Sequence, residues 1–390
     1  MTKSFYRHLI ILGLSLACPS ALAKKAPPTA TMLQFRQTLQ ELAPYLSSFD
    51  KFDADQNHRY IEQRLDRFVE LGQHRSELTL ADIPDYGLTL ETLFQLLSQL
   101  QQSFHAGHKE RARMLLQSTV GVCISCHSRL PVGAPIFSGD DTTEWVQAIP
   151  NPVERARLLF AFRRFGDAEA VLRRAIQGYP SNGIHVYELV RTLDYLATIY
   201  TRVDGDPALA SKRFAEIVHR GNLPRFVQED LEVWLGAFRL WQAEQPFDID
   251  NAQDAEVLTR VEEILGPAAN QPRFLADRAL RIPYLRASAL LHQLLIKRPR
   301  SPRAAEAEYL LGICYMSLDQ DLFVGFDGAY LKSCIHRDPT TRIARKCYNL
   351  YEESVYLGFT GSAGTSIPPE IQKELSSLRD QVYPPTEKEK

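Results

Sequence analysis

Residues 108–129, HKERARMLLQSTVGVCISCHSR, decide how the first half of this chain is read. Met114, Leu115, Leu116 and Val120 recur at helical spacing, and the run closes on Cys123-Ile124-Ser125-Cys126-His127. Two thiols three positions apart followed at once by an imidazole form the pattern for covalent haem attachment. Both sulfurs reach one edge of a porphyrin as thioethers, and the adjacent histidine reaches the iron as proximal ligand. A C-x-x-C pair also serves redox dithiols and zinc sites. No second C-x-x-C completes a four-thiolate site, and no strand-rich βαβ pattern surrounds this one.

The start of the chain agrees with that chemistry. Lys3 and Arg7, the apolar run Leu9 to Ala17 and the small-x-small site Ala21-Leu22-Ala23 read as a secretory signal over residues 1–23. The expected location is the periplasm of a Gram-negative-type bacterium, where covalent haem is attached after export. Cys18 offers the alternative of a lipid anchor, although Ser15 stands where a lipoprotein box wants a large apolar residue. No later run is long and apolar enough to predict a transmembrane helix. With formal charge −2 over 390 residues, the chain gives no reason to expect a nucleic-acid partner, and its length asks for more than one core.

Outward from the motif, residues 24–130 read as helices. Met32, Phe35, Leu39, Leu42 and Leu46 mark one, Asp53 to Gly72 carries a second with Tyr60 to Leu71 on its apolar face, and Asp85 to Phe104 a third with Leu88 to Leu100, Thr89 being offered as its cap. Joined by short connections to the helix of the opening stretch, they predict an antiparallel four-helix bundle. Asp53-Ala54-Asp55 copies the first ligands of a calcium loop, but His58 replaces the turn glycine and Arg64 the bidentate glutamate, which rejects calcium. Met32 and Met114 are expected in the core; His58, His74, His105 and His108 are expected on the surface.

A bundle of this size with Cys-x-x-Cys-His near the end of its last helix resembles the cytochrome c′ family, over residues 31–130. The resemblance implies one covalent haem c on Cys123 and Cys126 with His127 below the iron. It also implies a propionate contact for Arg36, next to Phe35, and a basic residue after the proximal histidine, here Arg129. The family takes its distal residue from the first helix: methionine in electron carriers, an apolar residue in gas-binding members. Leu39 and Gln40 follow Arg36 by one turn, and Met32, out of register, is the methionine offered as distal ligand.

Residues 131–150, with Pro131, Pro135, Gly139 and Pro150, read as a linker or a loop packed on the haem edge. Beyond it the chain repeats itself. Ala168, Leu172, Ala175 and Pro180 have the same separations as Ala287, Leu291, Leu294 and Pro299. Leu331, Cys334 and Pro339 repeat the last two steps, and Ala210, Phe214, Ile217 and Pro224 repeat them with a longer end. Leu196-Ala197, Leu235-Gly236 and Leu311-Gly312 place small residues where a partner helix would approach. These spacings resemble the tetratricopeptide repeat over residues 151–355, with 243–280 departing most. The resemblance implies a surface for a protein partner; the plainer expectation is a platform for the haem bundle. Residues 356–390 read as a glycine-bearing loop, a short helix from Pro369 and a polar tail.

Cys334 and Cys347, 13 residues apart across the Asp338-Pro339 turn, suit a disulfide in an oxidising compartment. Cys314 is the alternative partner for Cys334, or a buried thiol. The expected class is all-α: a four-helix haem bundle followed by a tetratricopeptide-like solenoid. The expected function is monohaem electron transfer with a redox partner, and the alternative is a haem-based gas or redox sensor. A peroxidase would want a second haem or a dedicated distal acid, and no catalytic constellation is read from the spacing.

Overall fold

The computed structural model describes residues 30–73, 84–129, 146–269, 278–318, 325–362 and 364–384. The leader with Cys18, His74, most of the 131–150 connection and the final tail lie outside them. The described chain is all-helical apart from one two-stranded hairpin.

The first group comprises α1 (Ala30–Leu46), α2 (Phe49–Asp53), α3 (Asp55–Gln73), α4 (Pro84–His105) and α5 (Lys109–Arg129). The apolar residues at three- and four-residue spacing turn inward: Leu39, Leu42 and Leu46 from α1, Ile61, Leu65 and Phe68 from α3, Leu93, Leu97 and Leu100 from α4. The stretch expected as one helix from Asp53 is broken. Ser48 caps the single turn α2 by accepting from the Lys51 N–H, Ala54 is extended, and α3 starts at Asp55. α1 packs on α3, α3 on α4, α4 on α5, and α1 also meets α5.

The second group runs α6 (Pro152–Ala161), α7 (Phe165–Gly178), α8 (Val186–Thr198) with a π-helical continuation Ile199–Asp204, α9 (Pro207–Val218) and α10 (Arg225–Ala243). It continues with α11 (Asp254–Leu265), α12 (Arg281–Lys297), α13 (Ala304–Leu318), α14 (Phe326–Arg337), α15 (Arg342–Gly358) and α16 (Pro369–Val382). Strands β1 (Thr360–Gly361) and β2 (Gly364–Thr365) lie between the last two helices. Most successive helices pack on one another, while α10 skips α11 to pack on α12; the repeating positions Ala168, Leu172, Ala210, Phe214, Ala287, Leu291, Leu331 and Cys334 are buried. Asn151 shows how the run begins, its side chain accepting from the Val153 and Glu154 N–H groups ahead of Pro152 at the first helical position.

Small residues do not act alike along this run. A Cβ on Gly312 would come within 2.6 Å of Leu331, so α13 and α14 approach only because glycine stands there. A Cβ on Gly236 would meet nothing within 4 Å, so the sequence match at α10 carries no close approach. In the departing stretch 243–280 stand α11 and two single 3₁₀ turns, Gly266–Ala269 and Arg278–Leu280.

The two groups share one contiguous core. α5 packs on α6, on the π-helical turn and on α12, while α4 packs on α12 and α14. Val146 and Ile149, at the end of the expected linker, are buried in that core. Contacts at the start, middle and end of the second group thus enclose the helices that carry the motif. Among the described residues no helix is long and apolar enough to cross a membrane.

Candidate functional site

Cys123 and Cys126 stand three apart on α5, hence on one face of the helix, with His127 beside them. All three line an apolar slot of about 670 Å³, its open mouth included. α5 adds Thr119 and Val122 to that wall, and α4 contributes Thr89, Leu90 and Leu93. α1 supplies Met32, Phe35, Arg36 and Leu39, with Phe68 from α3. Met32, Arg36, Cys123, Cys126 and His127, all singled out in the sequence, are therefore brought to one slot, whereas Arg129 lies outside its lining.

The remaining wall comes from outside the first group. Ala161, at the end of α6, and Phe162 line the slot as well. The His127 Nδ1–H donates to the Ala161 carbonyl at 2.5 Å. A carbonyl only accepts, so this bond fixes the proton on Nδ1 and leaves the Nε2 lone pair uncommitted. Burial, then the nearby Arg163 guanidinium, push the His127 pKa down to about 4 against the bond to Ala161, so the ring is neutral at pH 7. Arg163 follows Phe162 and holds a left-handed φ of 62° without being glycine. Burial and its neighbour Cys126 push Cys123 up to about 12, and burial raises Cys126 too, with Arg129 pulling the other way. Both sulfurs are thiols at neutral pH.

One turn behind the slot lies a polar cluster that sequence reasoning missed. Asp85, fully buried on α4, forms an ion pair with Arg129 Nη1 at 3.1 Å, and the Arg129 side chain is only 1% exposed. Arg129 also donates to the Ser125 carbonyl at 3.0 Å and to the Thr89 hydroxyl. Two residues of the second group complete the site. The His292 Nδ1–H on α12 reaches Asp85 Oδ1 at 3.0 Å, and the Tyr330 O–H on α14 donates to the same oxygen at 2.8 Å. Tyr330 accepts from Arg129 at 2.9 Å, and His292 Nε2 accepts from the Tyr315 O–H at 2.6 Å. Burial pushes Asp85 up, but His292 and Arg129, with hydrogen bonds from His292 and Tyr330, outweigh it and hold the carboxyl at about 2. Burial drives His292 down to about 3. Asp85 and Arg129 are the charged members and His292 is neutral.

Several expectations are corrected. Thr89 is no cap: α4 starts at Pro84, and Thr89 sits inside it, bonded to the Asp85 carbonyl. Met114 is not core but 58% exposed. His58 and His105 lie by Glu62 on the surface, as expected, and His108 is exposed. Lys109 Nζ lies 3.6 Å from both Asp53 and Asp55, the residues of the rejected calcium loop. Cys334 and Cys347 form a disulfide, and Cys314 is a buried free thiol. Among the described residues no cluster of three or more His, Cys, Asp or Glu side chains is arranged to hold a metal ion.

Comparison with known protein families, with curated proteins and with solved structures finds no match to this chain.

Proposed function

We propose that the chain is an exported c-type cytochrome carrying one covalent haem, which passes single electrons to and from a redox partner. In this reading α1, α3, α4 and α5 are the four-helix haem bundle, and α6 to α15 are a tetratricopeptide-like array. The observation that carries it is the donor set at the slot. Two thiols on one helical face and an imidazole whose Nδ1 proton is committed to Ala161 converge on apolar walls. The donor set fits a haem: Cys123 and Cys126 would hold it as thioethers, and His127 Nε2 would bind the iron. A haem so held supplies a one-electron iron couple. The chain's own residues fix the proximal ring through Ala161, keep water from the slot with Phe35, Leu90 and Phe162, and set Arg36 at its wall for a propionate.

A dithiol redox centre fits less well. Such centres need a thiol pKa lowered towards neutrality, whereas burial raises both of these. The packing of α4 and α5 along the array favours the array as a platform for the haem helices. Docking of a protein partner then falls to surfaces those helices leave open.

Leu39 and Phe35 favour a second reading. They place apolar side chains beside Met32 on the α1 wall, which suits an open, gas-binding iron and a sensor. One experiment separates the readings. Exported protein should stain for haem on a denaturing gel, and Cys123→Ala with Cys126→Ala should abolish the stain; a persistent stain would refute the assignment. A reduced spectrum indifferent to carbon monoxide, changed by Met32→Ala, supports the electron carrier. A high-spin spectrum that shifts with carbon monoxide supports the sensor.

A further inference from the structure

The cluster behind the slot does more than join two groups of helices. Asp85 and Arg129 are opposite charges in a nearly water-free site, so each acts on its surroundings over a longer range than a surface charge does. The Arg129 Nε–H holds the carbonyl of Ser125, which stands between the two cysteines in sequence on the last turns of α5. Arg129 also donates to the Thr89 hydroxyl, and Thr89 lines the slot, so the pair adjoins the slot wall. The position of Asp85 is governed from the array, because His292 and Tyr330 both donate to its carboxylate.

We propose that His292 and Tyr330 of the array are positioning residues for the Asp85–Arg129 pair, and that through this pair the array sets the reduction potential of the haem held by Cys123, Cys126 and His127. The inference rests on the haem reading above and deepens it. A positive charge near the iron disfavours the oxidised, more positive state, so Arg129 raises the potential and Asp85 lowers it. His292 and Tyr330 hold the carboxylate ionised and in place. Losing either weakens the partner of Arg129 and shifts the potential in the direction that losing Asp85 does, by less. A cluster that only glued helices together would alter the unfolding midpoint with no ordered, sign-reversed change in potential.

The test is redox titration of the full-length exported protein. Asp85→Asn is expected to raise the midpoint potential and Arg129→Met to lower it. Arg129→Lys, which keeps the charge, should stay near the unsubstituted value. Tyr330→Phe and His292→Gln, which alter no formal charge, should each give a smaller rise. Should Asp85→Asn not fold, the contrast between Arg129→Met and Arg129→Lys together with the array variants decides the matter. Potentials that stay put, or that move the same way for both charge removals while the haem stain persists, overturn the inference. A Tyr330→Phe and His292→Gln pair without effect overturns the role of the array. An unsubstituted chain that shows no haem stain sinks the underlying reading instead.

Discussion

Two histidine–carboxylate groupings hold helices together in this molecule, and water separates them. In the first, His292 and Tyr330 from the second group of helices reach Asp85 and Arg129 beside the motif, and the side chains of Asp85, Arg129 and His292 are at most 1% exposed. In the second, His105 at the end of α4 lies 3.6 Å from Glu62 and 3.4 Å from Asp66 on α3, with all three side chains well exposed. The residue types match, yet the energetic consequences differ. A buried charge has exchanged its hydration for named partners and cannot regain water when one is removed. A surface charge keeps water as a substitute. Similar groupings are thus a fixed part of the fold in one place and a marginal contact in the other.

The widest gap between them should come from Asp85→Ala. Truncation leaves the Arg129 guanidinium buried with hydroxyls and a carbonyl but no counter-charge, which by analogy with other broken buried pairs costs about 3–5 kcal/mol. Urea unfolding of the full chain should show it as a large drop in midpoint. A loss under about 1 kcal/mol would mean that Arg129 finds water, and that the contrast with the surface site is one of degree only.

Acid sharpens the comparison. The folded His292 binds a proton only near pH 3, whereas an unfolded histidine does so near 6.5. Between those values the unfolded chain holds more protons, so stability falls as pH drops below about 6.5, by up to about 1.4 kcal/mol per unit. Asp85 acts later with the same sign. Its carboxyl is held at about 2 against 3.8 for the free group, so its contribution is complete above 3.8 and is lost as pH falls through 2. His127, at about 4, adds a slope like that of His292 wherever its ring carries no metal. The difference between unsubstituted protein and His292→Gln therefore isolates His292. The variant's unfolding midpoint should fall less steeply between pH 6.5 and 4; parallel curves would show that His292 is not held neutral in the fold.

What the sequence could show of this follows from distance along the chain. Helical periodicity is local, and it placed α1, α4, α5 and α16 close to where they stand. The slot-lining candidates were legible because one five-residue motif and one turn of α1 carry them. The spacing of Ala287, Leu291 and Leu294 likewise marked a buried helical face. Asp85 and His292 lie 207 residues apart, and nothing local says that they meet. Asp85 read alone is an ordinary first-turn acid, and Thr89 ahead of a leucine run reads as a cap; docking of α12 and α14 is what buries both. Ala161 acts through its carbonyl, which no side-chain pattern can report. Gly236 and Gly312 show the converse, since the same Leu-Gly pair precedes a tight helix contact only where Leu331 faces it.

The smallest expected change tests the other side of the comparison. His105→Ala removes both ion-pair contacts at the surface site. Glu62 then keeps His58 at 3.9 Å and the solvent, and Asp66 keeps the Gln101 amide that donates to it at 2.7 Å. Exposed pairs of this kind contribute about 0–1 kcal/mol, less as salt rises, so the unfolding midpoint should move little and the remainder should vanish at high ionic strength. A loss as large as that of Asp85→Ala, or one that salt leaves intact, would show that His105 holds α4 against α3 by packing rather than charge. The surface site would then have to be reclassed with the core on grounds other than its ion pairs.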